Sequence, residues 1–490
     1  MLLRLLTFGT ATFLLTLGQP VWANMPSLIA QADEETVAPD ASEEGTPEET
    51  IAPDAGPSEA TEPDPASETE SVPATEDAVD EQSLDAVDQM ILAGLQQYEN
   101  RNLPGAKTTL EQALASAQDN ENLPQEAFTL TMLGVITVNQ GDYEAAATYS
   151  QQALTALEAV DDSESQVVAL NVGARAAQGQ GNLPEAVNQS RAALQLAESI
   201  GFDSGKLNSW HILATTLAAL EQYPLALEAA QQAIPLAQSE QDGEILLSSL
   251  NVASSALLAL EEYETALVVA EDALNVATQL ENDRGRTFAL HHQGVAQYRL
   301  SNLDPAIELQ TEALALAQEL GVLDIQFTAL YVLALAHYDK GEVDTAIDFY
   351  QQRLTLSRDV EALGAELQSL LWLGSAYLDS GKYQDAIASF DNLLTLAEEL
   401  NQAQFQGWGL SGLGFAHFQL AEYPIAQGNF EKALALSQTI GDRIAELEFL
   451  NVLVEVHQAQ DNTEQAMAYA AQAEALQAEL EAESSTAPVE

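Results

Sequence analysis

The stretch Gly141–Leu154, GDYEAAATYSQQAL, recurs along the chain at one fixed interval. Forty residues later the chain reads GNLPEAVNQSRAAL from Gly181, and GKYQDAIASFDNLL begins at Gly381. Aligned in blocks of forty, the 490 residues place alanine in one column of every block, without insertion or deletion. The ten positions are Ala106, Ala146, Ala186, Ala226, Ala266, Ala306, Ala346, Ala386, Ala426 and Ala466. This regularity predicts a repeat architecture instead of two or three separate domains.

Each forty-residue block predicts two helices. The first has apolar residues at a spacing of three or four, as in Leu370, Leu373 and Tyr377, which places them on one helical face. A turn follows, in which Gly141 ends one helix and Asp142 caps the next. Gly181 and Asn182 predict the same turn in the following block. In one second helix, "QQAIPLAQ" contains Pro235, which we expect to bend or shorten the helix.

Two further columns hold small residues. Seven positions after the invariant alanine, eight of ten blocks have alanine, and the exceptions are Arg353 and Leu393. Twelve positions before it, nine blocks have Gly, Ala or Ser, and Val454 is the exception. Small residues at fixed positions are expected where two helices cross closely. Because one hairpin cannot cover its own apolar face, stacked hairpins are needed to bury a continuous core. The sequence therefore predicts an all-α solenoid.

The order of these columns resembles the tetratricopeptide repeat (TPR) family. The residues on which the resemblance depends are Leu370, Leu373, Gly374, Tyr377, Gly381, Tyr383, Ala386, Phe390 and Leu394. The usual period of that family is 34 residues, and the spacing of forty resembles the longer variety of kinesin light chains and of many bacterial signalling and scaffold proteins. The resemblance implies a right-handed superhelical solenoid of ten antiparallel helix hairpins over residues 85–483, with residues 484–490 as a disordered tail.

The N-terminal segment predicts export. One basic residue, Arg4, precedes an apolar run from Leu5 to Gly18, and small or β-branched residues precede a cleavage position after Ala23. A second candidate cleavage position follows Ala32. The run is shorter than the roughly 20 residues of a membrane span. We therefore expect residues 1–23 to be a signal peptide and the protein to reach the periplasm or exterior of a bacterium. The alternative is an uncleaved N-terminal membrane anchor.

Acidic residues dominate the composition. Residues 33–84 contain eighteen Asp or Glu and seven Pro without any Lys or Arg, which predicts a disordered linker. The whole chain has a formal net charge of −61. Such a surface repels nucleic acid and would favour cationic partners, and the simpler explanation of the charge is solubility or adaptation to a salty medium. The absence of cysteine excludes disulfides, thiolate metal sites and cysteine nucleophiles.

No catalytic motif is present in the sequence. It has no phosphate-binding glycine loop, no His-Glu-x-x-His and no nucleophile elbow, so we predict neither an enzyme nor a cofactor. His337, His417 and His457 share one column. Equivalent residues of neighbouring repeats are expected about 10 Å apart, too far to share a metal ion. We interpret these histidines as half-buried substitutes for an aromatic side chain.

The candidate binding surface is one face of the first helices. In the resemblance these helices line a concave groove, and four columns at 3–4–3 spacing form a single face. The earlier repeats are polar there, whereas the later ones are largely aromatic. The candidate partner groove consists of Phe288, His291, Tyr298, Tyr331, Leu335, Tyr338, Trp408, Phe415 and Phe418.

The groove predicts a scaffold that binds an apolar or basic peptide or protein. The Lys and Asn side chains with which the family's carboxylate clamp holds chain termini are almost entirely missing from the matching columns. Two alternatives stay open. In the first, the aromatic residues pack between repeats, and the chain is a structural spacer or assembly component of the cell envelope. In the second, the chain is the regulatory repeat domain of a signalling system.

Overall fold

The computed structural model describes residues 85–486. The predicted signal peptide and acidic linker lie outside the described residues. Within them the chain forms twenty helices and no strand, which confirms the predicted all-α class. Odd-numbered helices are the first helices of the repeats and even-numbered helices are the second helices. The described chain consists of two compact units divided after Leu300.

The first unit comprises the described residues up to Leu300. Within this unit each helix packs against the next one in the chain, and first helices also contact the first helix of the following repeat. Its helices are α1 (Ala86–Glu99), α2 (Leu103–Asp119), α3 (Leu123–Asn139), α4 (Tyr143–Leu157), α5 (Ser163–Gly179), α6 (Leu183–Ile200), α7 (Asp203–Ala219), α8 (Tyr223–Glu240), α9 (Gly243–Ala259), α10 (Tyr263–Gln279) and α11 (Asp283–Arg299).

The second unit begins at Ser301. Consecutive helices pack against each other here as well, and α15 contacts α17. Its last helix continues to Thr486, beyond the sequence-based end of the repeats at residue 483. Its helices are α12 (Leu303–Leu320), α13 (Leu323–Asp339), α14 (Val343–Asp359), α15 (Leu363–Asp379), α16 (Tyr383–Glu399), α17 (Ala403–Gln419), α18 (Tyr423–Ile440), α19 (Arg443–Ala459) and α20 (Thr463–Thr486).

The invariant alanine column lies in the core of each hairpin. Nine of its ten members have no accessible surface, and Ala466 in the last repeat retains 4%. The alanines of the second column are equally enclosed, and its two exceptions, Arg353 and Leu393, are also buried. The forty-residue spacing therefore identified the helix-packing positions correctly.

The small residues of the third column make room for a side chain, which is more specific than the close backbone crossing expected from the sequence. A Cβ atom on Gly374 would lie 2.7 Å from a ring carbon of Phe390, sixteen residues later in the same hairpin. A Cβ atom on Gly414 would lie 2.6 Å from Phe430 in the same way. Where the column holds Ala214, the partner position holds the small Ala230. The sizes at the two positions therefore compensate in these hairpins.

The turns between the two helices of a repeat share one backbone conformation. Gly141 has a φ of 73°, and Glu261, which occupies the same position three repeats later, has a φ of 62°. Asp142 accepts a hydrogen bond from the amide of Ala145, as expected of an N-cap. Asn182 occupies the expected N-cap position in its repeat, but its side chain makes no capping hydrogen bond. Tertiary packing holds the helix without it.

Pro235 does not shorten its helix. Helix α8 runs for 18 residues through the proline, one residue more than most helices of the chain, so the expected shortening is wrong. A proline removes one backbone bond, whereas α8 packs along its length against both α7 and α9. Among residues 85–486, no helix is both long and apolar enough to cross a membrane.

Candidate functional site

The candidate site is the face of the first helices where neighbouring first helices meet, here called the first-helix face. In the second unit the ring of Tyr331 on α13 lies 5.7 Å from the ring of Trp372 on α15. Tyr338 on α13 donates a hydrogen bond to the carboxylate of Asp379 on α15. The first helices α13 and α15 of the second unit therefore contact each other through residues in or next to the candidate columns.

The nine predicted groove residues divide between the two units and differ in burial. Phe288, His291 and Tyr298 lie on α11 in the first unit. The other six lie on α13 and α17 in the second unit. His291 and Tyr331 are only 6% and 5% exposed, so they are packing residues in the chain as it stands. The other seven are half-buried and retain accessible surface.

The α11 residues form a packed histidine cluster. The rings of His291 and His292 lie 5.9 Å apart, and the ring of Phe288 lies 6.4 Å from that of His292. The Nδ1 atom of His292 is 2.7 Å from the hydroxyl of Ser254. Burial, and then the neighbouring His291, lower the pKa of His292 to about 3. This imidazole is therefore neutral at physiological pH and serves packing in the core.

The aromatic residues of α17 contact other rings of their own hairpin. The ring of Phe415 meets that of Phe430 edge to face at 5.1 Å, and Phe418 lies 5.4 Å from Tyr423. Trp408 contacts Phe405 at 5.0 Å. Such pairs fix the positions of the rings. The accessible part of each groove ring is thus presented rigidly, at a low entropic cost for binding.

Carboxylates accompany the aromatic residues in the second unit. Burial raises the pKa of Asp379, partly offset by the hydrogen bond from Tyr338. On α19, burial raises the pKa of both Glu448 and Glu455, and Asp442 raises that of Glu448 further. None of these three carboxylates has a cation within ion-pair distance among residues 85–486. Glu448 and Glu455 occupy the columns that hold Trp408 and Phe415 one repeat earlier. The face therefore changes from aromatic to acidic between α17 and α19.

The histidines of the shared column do not form a joint site. His337 stacks on Phe349 at 5.4 Å and its Nδ1 atom lies 2.7 Å from the carboxylate of Glu342. His457 is buried and stacks on Tyr469. These ring contacts fit the interpretation as aromatic substitutes. No group of three or more potential metal ligands occurs in the part of the chain that the structure describes.

A buried arginine lies beneath the first-helix face of the second unit. Arg353 on α14 is 1% exposed and takes the place of a core alanine. Its Nε donates to the carbonyl of Phe327 at 3.3 Å, and its Nη1 donates to the carbonyl of Ala365 at 3.1 Å and to Ser369 Oγ at 2.7 Å. Its Nη2 donates to Gln368 Oε1 at 2.9 Å. The arginine thereby links three consecutive helices.

All the acceptors of Arg353 are neutral. No carboxylate lies within ion-pair distance of it among the described residues. Its guanidinium carbon lies 5.7 Å from the rings of both Phe327 and Tyr331. Burial lowers its pKa to about 10, which leaves it charged at neutral pH. Sequence reasoning noted Arg353 only as an exception in an alanine column. That exception could have indicated a special site, because burying a charge at a core position is unfavourable unless hydrogen bonds satisfy it.

Comparisons with known proteins agree with this architecture. The tetratricopeptide repeat family is matched by two of its models, one over residues 167–239 and the other over residues 329–362 and 369–404. Each unit therefore contains a matched segment. The chain therefore contains tetratricopeptide repeats in both units. A comparison with curated proteins gave no match.

Solved structures with a similar fold come from several kinds of protein. A signal transduction ATPase with a tetratricopeptide repeat sensor, from Pyrococcus horikoshii, is 12% identical over 70% of this chain and 52% of that chain, with a TM-score of 0.54. The quorum sensor NprR from B. thuringiensis is 14% identical over 80% of this chain and 99% of that one, with a TM-score of 0.42. Kinesin light chain-like repeats from Podosopora anserina are 20% identical over 39% of this chain and 95% of that one, at 0.33. At these identities the likeness concerns the fold alone.

Proposed function

We propose that this chain is an exported, non-enzymatic protein-interaction scaffold that binds a peptide or protein along the first-helix face. The observation that supports this most is the half-buried state of seven of the nine predicted groove residues. Aromatic side chains held by neighbouring rings, with part of their surface accessible, are typical of peptide-binding surfaces. The apolar N-terminal run and the small residues at Val21 and Ala23 support the export part of the proposal.

The partner carries apolar and basic side chains. Tyr338, Phe415 and Phe418 offer apolar area, and Asp379, Glu448 and Glu455 are carboxylates without a cation of their own. Asp379 and Glu448 are exposed and Glu455 is half-buried, so a positive charge that binds beside Glu455 gains most. An amphipathic segment with apolar residues on one side and Lys or Arg near one end satisfies both features.

The second candidate is a structural spacer without a groove ligand. The burial of His291 and Tyr331 supports it, because two of the nine groove residues already pack within the chain. The pairs between Phe415 and Phe430 and between Phe418 and Tyr423 support it in the same way. The two functions differ in whether removal of the accessible rings affects any association.

A capture experiment separates these two functions. The full mature chain is immobilised and exposed to a cell-envelope extract at moderate salt, next to the double variant Tyr338→Ala and Phe418→Ala. Retained proteins are identified by mass spectrometry. We expect a protein that the parent retains and the double variant loses, while both have the same helicity by circular dichroism.

The matched control replaces aromatic residues of the second helices, Phe349→Ala together with Tyr383→Ala. Both residues are half-buried and lie on second helices, outside the four candidate columns. The control should retain the same protein as the parent. Equal retention by all three chains, weakening as salt is raised, would show non-specific binding by the acidic surface and favour the spacer.

A further inference from the structure

One side chain, that of Gln368, lies between the first-helix face and the guanidinium of Arg353, which no carboxylate neutralises among the described residues. Gln368 is 8% exposed and lies in the candidate column that also holds Phe288 and Trp408. The guanidinium can only donate hydrogen bonds, so the amide oxygen of Gln368 must face it. The amide nitrogen of Gln368 therefore points away from the arginine.

That amide nitrogen is a free donor. Gln368 Nε2 has no hydrogen-bond partner among residues 85–486, and it is not one of the enclosed polar atoms, so it reaches the surface. An amide whose oxygen accepts from a guanidinium is polarised, which strengthens its N–H groups as donors. At the surface this donor pairs with water, which an acceptor on a bound partner can replace.

The surroundings of the amide select the kind of acceptor. Trp372 lies one helical turn after Gln368 on the same face, and Tyr331 contacts both the Trp372 ring and the guanidinium. An aromatic wall next to an oriented donor suits a group that combines an oxygen acceptor with apolar atoms. Because the buried guanidinium has no counter-ion, an acceptor with negative charge gains more than a neutral carbonyl.

We propose that Gln368, Arg353, Tyr331 and Trp372 form a subsite for a carboxylate of the bound partner. Gln368 Nε2 donates to the carboxylate, Arg353 supplies the positive field from below, and the half-buried ring of Trp372, which the buried ring of Tyr331 supports, packs against the carbon atoms next to the carboxylate. The proposal rests on the proposed use of the first-helix face for binding. It adds that the partner presents an acidic group next to Gln368, near the start of α15, in addition to basic groups near Asp379 at the end of that helix and near α19.

The alternative role of Arg353 is to link α13, α14 and α15 by its hydrogen bonds. The variant Gln368→Glu distinguishes the two roles. The new carboxylate would pair with Arg353 within the protein, so helix linkage is kept or strengthened and the thermal midpoint should stay the same or rise. The subsite would then already hold its anion and would no longer accept one from a ligand.

The test uses N-acetylphenylalanine as the probe, with its uncharged analogue N-acetylphenylalaninamide as control, at constant ionic strength set with sodium chloride. Binding to the full chain is followed by tryptophan fluorescence, and Trp372→Phe identifies the signal of Trp372. For a ligand this small we expect saturation on the order of millimolar. N-acetylphenylalaninamide should bind the parent at least about tenfold more weakly than N-acetylphenylalanine does. The variants Gln368→Glu and Arg353→Met should each bind N-acetylphenylalanine at least about tenfold more weakly than the parent, which is the loss expected for one charged hydrogen bond.

Three results would overturn the subsite. The first is that N-acetylphenylalaninamide binds the parent as tightly as N-acetylphenylalanine, and the second is that Gln368→Glu binds N-acetylphenylalanine as tightly as the parent. The third is that the parent gives no saturable signal up to about 100 mM N-acetylphenylalanine, at which a site of this kind should be filled. If Arg353→Met lowers the thermal midpoint strongly, Gln368→Glu alone decides. The outcome is independent of the capture experiment: loss of partner retention by the Tyr338 and Phe418 variant can occur with or without a carboxylate subsite.

Discussion

The fit of Phe390 between two glycines leads to a prediction that tests the core of the second unit. The ring of Phe390 on α16 is 2% exposed. A Cβ atom would lie 2.7 Å from this ring if added to Gly374 on α15, and 2.5 Å if added to Gly412 on α17. Real Cβ atoms do not approach so closely, so these two first helices can pack around the ring only because both residues lack a Cβ atom.

The magnitudes follow from two opposing effects. Phe390→Ala should cost about 3–5 kcal/mol, because it removes a fully enclosed ring. Gly374→Ala gains about 1 kcal/mol of helix propensity and loses about 1–3 kcal/mol through overpacking, so it should be destabilising by up to about 2 kcal/mol. In the Phe390→Ala background the space is free, and the same substitution should stabilise by about 1 kcal/mol. The coupling energy is therefore about 1–3 kcal/mol.

The assay is guanidinium chloride unfolding of the four chains of this cycle, followed by tryptophan fluorescence in a Trp210→Phe background. Trp372 and Trp408, on α15 and α17, then report from the helices next to Phe390. The control is Gly428→Ala on α18, where an added Cβ atom would meet nothing within 4 Å. It should stabilise by about 1 kcal/mol in either background. An equal effect of Gly374→Ala in both backgrounds would refute the argument that this glycine makes room for Phe390.

Two further predictions concern packing and charge. Ala386→Leu should destabilise its hairpin by about 1–3 kcal/mol, because Ala386 has no accessible surface and a larger side chain would force α15 and α16 apart; an unchanged melting temperature would contradict this. Glu448→Gln with Glu455→Gln should stabilise the chain at pH 7, because the folded protein raises the pKa of both carboxyl groups and so disfavours their charged forms. For the same reason the stability of the parent should rise as the pH falls through these raised pKa values, and the advantage of the variant should disappear below the ordinary glutamate pKa of 4.5. The measurement is the melting temperature of parent and variant across this pH range. A difference in melting temperature that does not change with pH would exclude the effect.

The groove was only partly predictable from the sequence. The column spacing grouped Tyr338, Phe415 and Phe418, because helical periodicity fixes which residues share a face, and all three are half-buried. It did not distinguish these residues from His291 and Tyr331, which occupy another of the four columns and are buried. Burial depends on the neighbouring repeat, whose side chains are forty residues away in the sequence. The polar side chains of Asp379, Glu448 and Gln368 were missed because nothing local distinguishes them from surface residues.

The sequence by itself determined the class of fold, the number of repeats and the positions of the helix contacts. Ten alanines at one spacing suffice for this, because a solenoid repeats the same local packing and needs no long-range information to be recognised. Only the tertiary structure decided what the exceptions do. Arg353 reads as a defect in an alanine column, yet its guanidinium meets acceptors on α13 and α15 that the sequence places twelve to twenty-six residues away. Whether a buried charge is neutralised depends on atoms brought together by folding, and a repeat pattern contains no record of them.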